Sequence, residues 1–217
     1  MPTSRRHLLP SALFCALFLL IFEVEPASAQ ETRAVPQTSL AALLAGPSAT
    51  PPAGSEHADV TIIEFFDYNC PGCRELDPQL RRLLGADPKV RLVRKDWAIF
   101  GNGSVYAAYA TFAAAREGRY QAAHEALMTS SKDLDSRADV LAVLRAAGFD
   151  SAKVDADVAR HEKEYAGVLA RDAHEATGLG LPGTPGLIVG NQLVLGAVDY
   201  RGLKRLIARA RQQAAHS

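Results

Sequence analysis

Val60-Thr61-Ile62-Ile63-Glu64-Phe65-Phe66-Asp67-Tyr68-Asn69-Cys70-Pro71-Gly72-Cys73 is the stretch from which the rest of the chain is read. Its first seven residues are almost all β-branched or aromatic, which predicts a buried strand over residues 60–66. Two thiols separated by two residues follow, where strand gives way to helix. The helix is expected from Cys70 onward. Cys73, Leu76, Leu80 and Leu83/Leu84 recur at helical spacing, while Arg74, Glu75, Gln79, Arg81 and Arg82 take the outer face. Pro78 falls inside that pattern. It lacks an N–H and its ring clashes with the preceding turn, so it is expected to kink the helix or to start a new one. A cysteine pair closing so short a loop stabilises little by loop closure. Redox chemistry therefore explains the pair better than stapling does.

Further along, residues 90–95 (Val-Arg-Leu-Val-Arg-Lys) alternate and predict a second strand. Residues 103–177 are Ala-rich and charged on one side. They are expected to form a helical block with stops at Gly118 and Gly148 and starts at Ser136 and Ser151. Gly183-Thr184-Pro185 then introduces two short apolar runs, Leu187-Ile188-Val189 and Leu193-Val194-Leu195, around Gly190-Asn191. That is a hairpin signature, with Gly190 and Asn191 suited to positive φ. A last amphipathic helix is expected from Tyr200, with Leu203, Leu206, Ile207 and Ala210 facing inward. No internal repeat is visible.

The N-terminus bounds the compartment. Arg5, Arg6 and His7, an apolar run over residues 8–22, and Pro26-Ala27-Ser28-Ala29 are the three parts of a secretory signal peptide, expected over residues 1–29. The apolar run is shorter than the ~20 residues of a membrane span, so cleavage fits better than an uncleaved anchor. Cys15 lies inside it, which leaves Cys70 and Cys73 as the thiols of the exported chain. Residues 30–57, with Pro47, Pro51, Pro52 and Gly54, are expected to form a Pro/Ala-rich leader with one short helical turn at 40–44. With 24 basic and 24 acidic residues the formal net charge is zero. Nucleic acid is therefore not an expected partner. The histidines at 57, 124, 161, 174 and 216 show no ligand spacing and are expected to be scattered surface or core residues. Arg74 after Cys73 excludes the haem-attachment signature.

Strand, thiol pair, helix, strand, helical block, Thr-Pro, hairpin and helix, in that order, are similar to a thioredoxin fold with an inserted α-helical domain. The chain resembles the DsbA family of exported thiol–disulfide oxidoreductases. The resemblance rests on 64–73 (Glu-Phe-Phe-Asp-Tyr-Asn-Cys-Pro-Gly-Cys), 95–101 (Lys-Asp-Trp-Ala-Ile-Phe-Gly) and 183–189 (Gly-Thr-Pro-Gly-Leu-Ile-Val). Within the family it is most similar to the suppressor-of-copper-sensitivity C-type proteins. The resemblance implies an α/β fold with a first thioredoxin part at 58–102, an insertion at 103–177 and a second part at 178–217. It implies periplasmic location, cysteine-containing exported proteins as substrates, a membrane redox partner that resets the pair, and no cofactor. It also implies a cis bond before Pro185, with Thr184 and Pro185 beside Cys70 and, with Pro71 and Gly72, facing the substrate. Glu64 would be a buried acid beneath the pair, with Lys95 placed to pair with it; a water-exposed ion pair at the strand ends is the alternative.

The position of the two thiols on the helix supports a division of labour. Cys70 at a helix N-terminus meets unpaired N–H groups and the positive end of the dipole, which favour a thiolate. It is the expected nucleophile, and Cys73 on the inner face the expected resolving thiol. An inward Glu64 would have a raised pKa and could pass protons to a thiol. Phe66, Tyr68 and Trp97 are expected to pack. The strongest oxidants of the family carry His where this chain has Gly72, so the direction of electron flow stays open. The alternative function is a copper(I)-handling module using the two thiolates; with two sulfur ligands and no nearby Met or His, no metal site is expected.

Overall fold

The computed structural model describes Met1, residues 32–45 and residues 49–216. Apart from Met1, the signal expected over 1–29, Cys15 included, lies outside the described residues. The elements are β1 (Thr32–Ala34), α1 (Gln37–Ala45), β2 (Ala53–Gly54), β3 (Val60–Phe66), α2 (Pro71–Ala86), β4 (Val90–Asp96), α3 (Asn102–Arg116), α4 (Tyr120–Met128), α5 (Arg137–Ala146), α6 (Ser151–Gly178), β5 (Gly186–Val189), β6 (Gln192–Leu195) and α7 (Tyr200–Ala214). Among the described residues the strands form one mixed sheet in the order β1-β6-β5-β3-β4-β2. β3 and β4 are parallel, joined by the α2 crossover. The other pairings are antiparallel. This is a thioredoxin fold with α3–α6 inserted between β4 and β5.

β3 lies between β4 and β5 and is covered on both faces, which is why its sequence is apolar almost without interruption. Strand alternation sorts its side chains. Val60 and Ile62 join Leu76, Leu80 and Leu83 of α2 and Leu203, Leu206 and Ile207 of α7 in one core. Ile63 and Phe65 join Val93, Ala176, Ile188 and Leu193 in the core on the other face. A third core belongs to the insertion, and it includes Phe66, Tyr68, Cys70 and Cys73 beside Phe112, Leu127 and Tyr165. The end of β3 and the start of α2 are therefore packed by the insertion.

Four local expectations are narrowed or changed. The leader contributes structure: β1 pairs with β6 through Thr32↔Val194 and Ala34↔Gln192, α1 covers the sheet with Leu43, and β2 pairs with β4. Sheet edges offer unpaired N–H and C=O groups, and these short segments satisfy them. Pro78 does not end α2, which runs on through it to Ala86. The proline forgoes one backbone bond, while Leu76, Leu80 and Leu83 hold the helix on the sheet. α6 is capped by Asp150, whose carboxylate accepts from the N–H groups of Ala152 and Lys153, so Ser151 is the first helical residue rather than the cap. Ser136 caps α5 in a full capping box with Asp139. Gly118 and Gly148 follow the ends of α3 and α5 at φ 71° and 81°. In the hairpin turn Gly190 takes the positive φ and Asn191 does not. No helix among the described residues is long and apolar enough to cross a membrane.

Candidate active site

Cys70 is the N-cap of α2, and Pro71 takes the first helical position, where a missing N–H costs nothing. The Cys70 sulfur accepts from the Cys73 N–H at 3.3 Å and donates to the Thr184 carbonyl at 3.2 Å. Cys70 is 3% exposed and Cys73 is fully buried; neither is bridged. A hydrogen bond from the Cys73 thiol, then the Thr184 hydroxyl and the N–H groups of Cys73 and Gly72, outweigh burial and lower the Cys70 thiol from 9.0 to about 6. The Thr184 hydroxyl has no other hydrogen-bond partner, so a thiolate gives it one. Burial, the bond to Cys70 and the Glu64 charge push the Cys73 thiol far up. One sulfur is thus prepared as a thiolate and the other kept as a thiol.

The Thr184–Pro185 peptide is cis. Pro185 packs on the loop between the thiols, where a Cβ added to Gly72 would sit 3.1 Å from its Cδ and 3.8 Å from Ala197 Cβ. Gly72 therefore lets the proline approach the thiol pair closely. The Pro185 carbonyl accepts from Gly196 N–H at 2.9 Å, which fixes this wall to the far side of the hairpin. Beside it Ile99 and Phe100 are 44% and 50% exposed, and Ile99 Cδ1 lies 4.0 Å from where a Gly183 Cβ would be. These two large apolar side chains stand in solvent as a ledge beside the Gly183–Thr184 loop.

Asp67 organises the loop before the thiols. Its carboxylate accepts from the N–H groups of Asn69, Ile99 and Phe100 and from the Ser104 hydroxyl. Asn69 bonds the Leu134 N–H and carbonyl, and Arg74 donates to the carbonyls of Tyr68, Ser130 and Lys132. The redox loop is thereby tied to the insertion on two sides.

Glu64 is buried on β3, 1% exposed, with no hydrogen bond to either carboxylate oxygen. Burial dominates, the Arg94 cation works against it, and the carboxyl is raised from 4.5 to about 7. The expected pairing with Lys95 is corrected by the strand register. Glu64 stands opposite Arg94 and Phe65 opposite Lys95. Parallel partners share a face, so Lys95 points to the other side of the sheet. There it meets Glu175 at 2.8 Å and Asp172 at 3.7 Å, both from α6. Arg94 Nε is the cation facing Glu64, at 3.5 Å.

Arg94 opens a buried network absent from the sequence expectations. Its Nη2 lies 3.5 Å from Asp77 Oδ1. Asp77 also meets Arg81 at 2.8 Å and His124 Nε2 at 3.2 Å. His124 Nδ1 is 3.0 Å from the Tyr68 hydroxyl and 3.5 Å from that of Tyr120. The available signal was Asp77 four residues after Cys73, on the same helical face as the apolar residues. Among the described residues no group of three or more His, Cys, Asp or Glu side chains is arranged to hold a metal ion.

Comparison with known proteins gives a consistent pattern. The family model described as a DSBA-like thioredoxin domain matches residues 61–208. A thioredoxin-like oxidoreductase from Silicibacter pomeroyi is 37% identical, with a TM-score of 0.73 over 82% of this chain and 99% of that one. A periplasmic thioredoxin-like protein from Salmonella enterica serovar Typhimurium is 27% identical, with a TM-score of 0.69 over 82% and 98%. The catalytic domain of Proteus mirabilis ScsC is 25% identical, with a TM-score of 0.68 over 80% and 97%. A curated relative, the Na(+)/H(+) antiporter NhaA 1 of Mycolicibacterium gilvum, is 29% identical over 174 residues, 73% of this chain and 26% of that protein. The chain spans about a quarter of the length of the curated relatives it matches.

Proposed function

Because the chain belongs to the DsbA-like thioredoxin-domain family, we propose that it exchanges disulfides with cysteine-containing exported proteins through Cys70 and Cys73. The observation that supports this best is the opposite treatment of the two thiols, Cys70 lowered to about 6 and Cys73 pushed far up within one helical turn. The proposed direction is donation of the disulfide. A thiol lowered this far stabilises the reduced pair, and a stabilised reduced form makes the oxidised form the stronger oxidant.

A substrate thiolate attacks the Cys70 sulfur of the Cys70–Cys73 disulfide, and Cys73 leaves with the bonding electrons and takes a proton. A second substrate thiolate attacks the substrate sulfur of the mixed disulfide. The substrate disulfide forms and Cys70 leaves as a thiolate, which its low pKa favours. In the reverse sense Cys73 resolves the mixed disulfide, with Glu64 accepting its proton. Pro71, Gly72, Thr184 and Pro185 form the wall the substrate meets, and the Ile99–Phe100 ledge receives its apolar side chains. A membrane redox partner removes the two electrons left on the pair. Periplasmic location is part of the proposal, supported by the signal-like residues 1–29 and by the periplasmic relative from Salmonella.

Oxidative refolding of reduced ribonuclease and reduction of insulin by dithiothreitol test the reading. Wild type accelerates at least the first, and Cys70→Ser accelerates neither. Full activity in Cys70→Ser overturns it.

A further inference from the structure

Resting on the reading that Cys70 and Cys73 exchange disulfides, we propose that His124 of the insertion is a positioning residue for that exchange. It controls, through Asp77, how firmly Arg94 is held against Glu64, and so the pH at which Cys73 resolves a mixed disulfide. The geometry is an unbroken relay across four elements. His124 on α4 meets Asp77 on α2 at 3.2 Å, Asp77 meets Arg94 on β4 at 3.5 Å, and Arg94 meets Glu64 on β3 at 3.5 Å. The four side chains are between 0% and 2% exposed, so water neither screens nor replaces these contacts.

The decisive detail is that one atom, Asp77 Oδ1, takes both the His124 Nε2 contact and the Arg94 Nη2 contact. Two donors compete for it. A carboxylate only accepts, so His124 Nε2 carries the proton and Nδ1 is the acceptor; it faces the Tyr120 hydroxyl at 3.5 Å and the Tyr68 hydroxyl at 3.0 Å, whose single hydrogen is shared with Thr111 Oγ1 at 3.2 Å. His124 is neutral at neutral pH because burial, and then the Arg94 charge, lower it to about 4. Phe66 and Tyr68 pack edge-on against the imidazole at 5.4 and 5.5 Å and hold its plane.

Removing the His124 donor leaves Oδ1 to Arg94 alone. The guanidinium is drawn toward Asp77 and away from Glu64, which raises the Glu64 carboxyl further. Removing the Asp77 charge does the reverse: Arg94 is freed for Glu64 and a neighbouring anion disappears. The titratable and charged groups that interact with Glu64 are Arg94 and Asp96 from β4, Asp77 and Cys73 from α2, Cys70 at its cap, and Tyr120 from α4. Those facing His124 are Asp77, Arg94, Tyr68, and from its own helix Tyr120 and Glu125.

In the resolving step the Glu64 carboxylate takes the Cys73 proton. The Cys73 sulfur then attacks the Cys70 sulfur, the Cys70–Cys73 bond forms, and the partner sulfur leaves as a thiolate with the bonding pair.

The test uses the full chain loaded with glutathione on Cys70, with release of glutathione followed from about pH 5 to about pH 9. Wild-type release rises through a midpoint near neutrality. His124→Leu moves the midpoint up and Asp77→Asn moves it down, each on the order of one pH unit. His124→Gln keeps an N–H toward Asp77 and keeps the wild-type midpoint. Thermal melts identify any unfolded variant; if the leucine variant is unfolded, His124→Asn, whose shorter amide cannot reach Asp77, takes its place and is expected to move the midpoint up while His124→Gln does not. Midpoints that stay put, or that move together, in folded variants overturn the proposal and leave the exchange reading standing. A wild type that never releases glutathione overturns the exchange reading, and this proposal with it.

Discussion

Replacing Cys70 by serine removes one acidic thiol, and the pH dependence of stability that goes with it can be worked out from the site. The Cys70 thiol is lowered from 9.0 to about 6 in the fold. A group whose folded pKa is depressed adds stability that is fully present above its unfolded pKa and is lost as pH falls through its folded pKa. At about 1.36 kcal/mol per unit, the full contribution is about 4 kcal/mol. Of this, about 1.4 kcal/mol is present at pH 7 and about 2.7 kcal/mol at pH 8. Cys73, pushed far up in the fold, loses stability as pH rises toward and above its ordinary value of 9.0, but it does so in both proteins and cancels to first order in their difference. Glu64, raised to about 7, has the opposite sign: its stability is present below pH 4.5 and lost as pH rises through 7. It is present in both proteins and cancels to first order in their difference. Urea unfolding of reduced wild type and Cys70→Ser should therefore show a gap that is near zero at about pH 5.5 and widens by about 1.4 kcal/mol per unit above pH 6.5. The pH 7 value corresponds to about 30 mV in the potential of the pair. A gap that stays flat between pH 6 and 8 refutes the thiolate argument and with it the proposed direction.

Other substitutions probe the rest of the site. Arg94→Met leaves Glu64 and Asp77 as two buried carboxyls without their shared cation; a loss of about 3–5 kcal/mol in urea unfolding is expected, partly restored by adding Glu64→Gln. Lys95→Met strips Glu175 and Asp172 of their buried cation on the opposite face, with a similar loss of stability. The pH midpoint of Cys73 resolution should not follow that loss, and a shift as large as that from Asp77→Asn contradicts the face assignment. Gly72→Ala gains about 0.5–1 kcal/mol of helix propensity but sets a methyl 3.1 Å from Pro185 Cδ. Pro185 must retreat and Thr184 with it, so the midpoint of Cys70 alkylation against pH should rise. Phe100→Asp leaves melting unchanged and raises KM for reduced ribonuclease several-fold without raising it for glutathione, if the exposed ledge receives polypeptide.

Elements whose signals are local were readable in the sequence. The strand at 60–66, the helix begun by the thiol pair, the hairpin around Gly190 and the inward residues Leu203, Leu206, Ile207 and Ala210 all follow from periodicity and turn chemistry. What periodicity does not carry is register. Arg94 and Lys95 are adjacent, and which one meets Glu64 depends on a pairing that puts residue 64 beside 94; a shift of one residue exchanges their faces. Asp77 and His124 were hidden for a related reason. Each is polar at a buried helical position, and its partner lies 47 residues away in the chain. β1 and β2 carry weak local preference and exist because the sheet edges they pair with are already formed.

The contact between the Cys70 sulfur and the Thr184 carbonyl spans 114 residues. In folding terms it is among the last contacts the chain can close, because the whole of α3–α6 must be brought in before β5 settles against β3. β3, α2 and β4 are contiguous and form early by comparison. An incompletely folded chain therefore holds its two cysteines on a helix without the Thr184 side-chain hydroxyl, carried on the same residue, that helps acidify Cys70. Reactivity of the reduced Cys70 toward disulfides arrives together with completion of the sheet, so the newly made chain is a slow nucleophile toward its neighbours' disulfides until it is fully folded. Pulse alkylation during refolding would record this as a late gain in Cys70 reactivity at pH 7, trailing the helical signal.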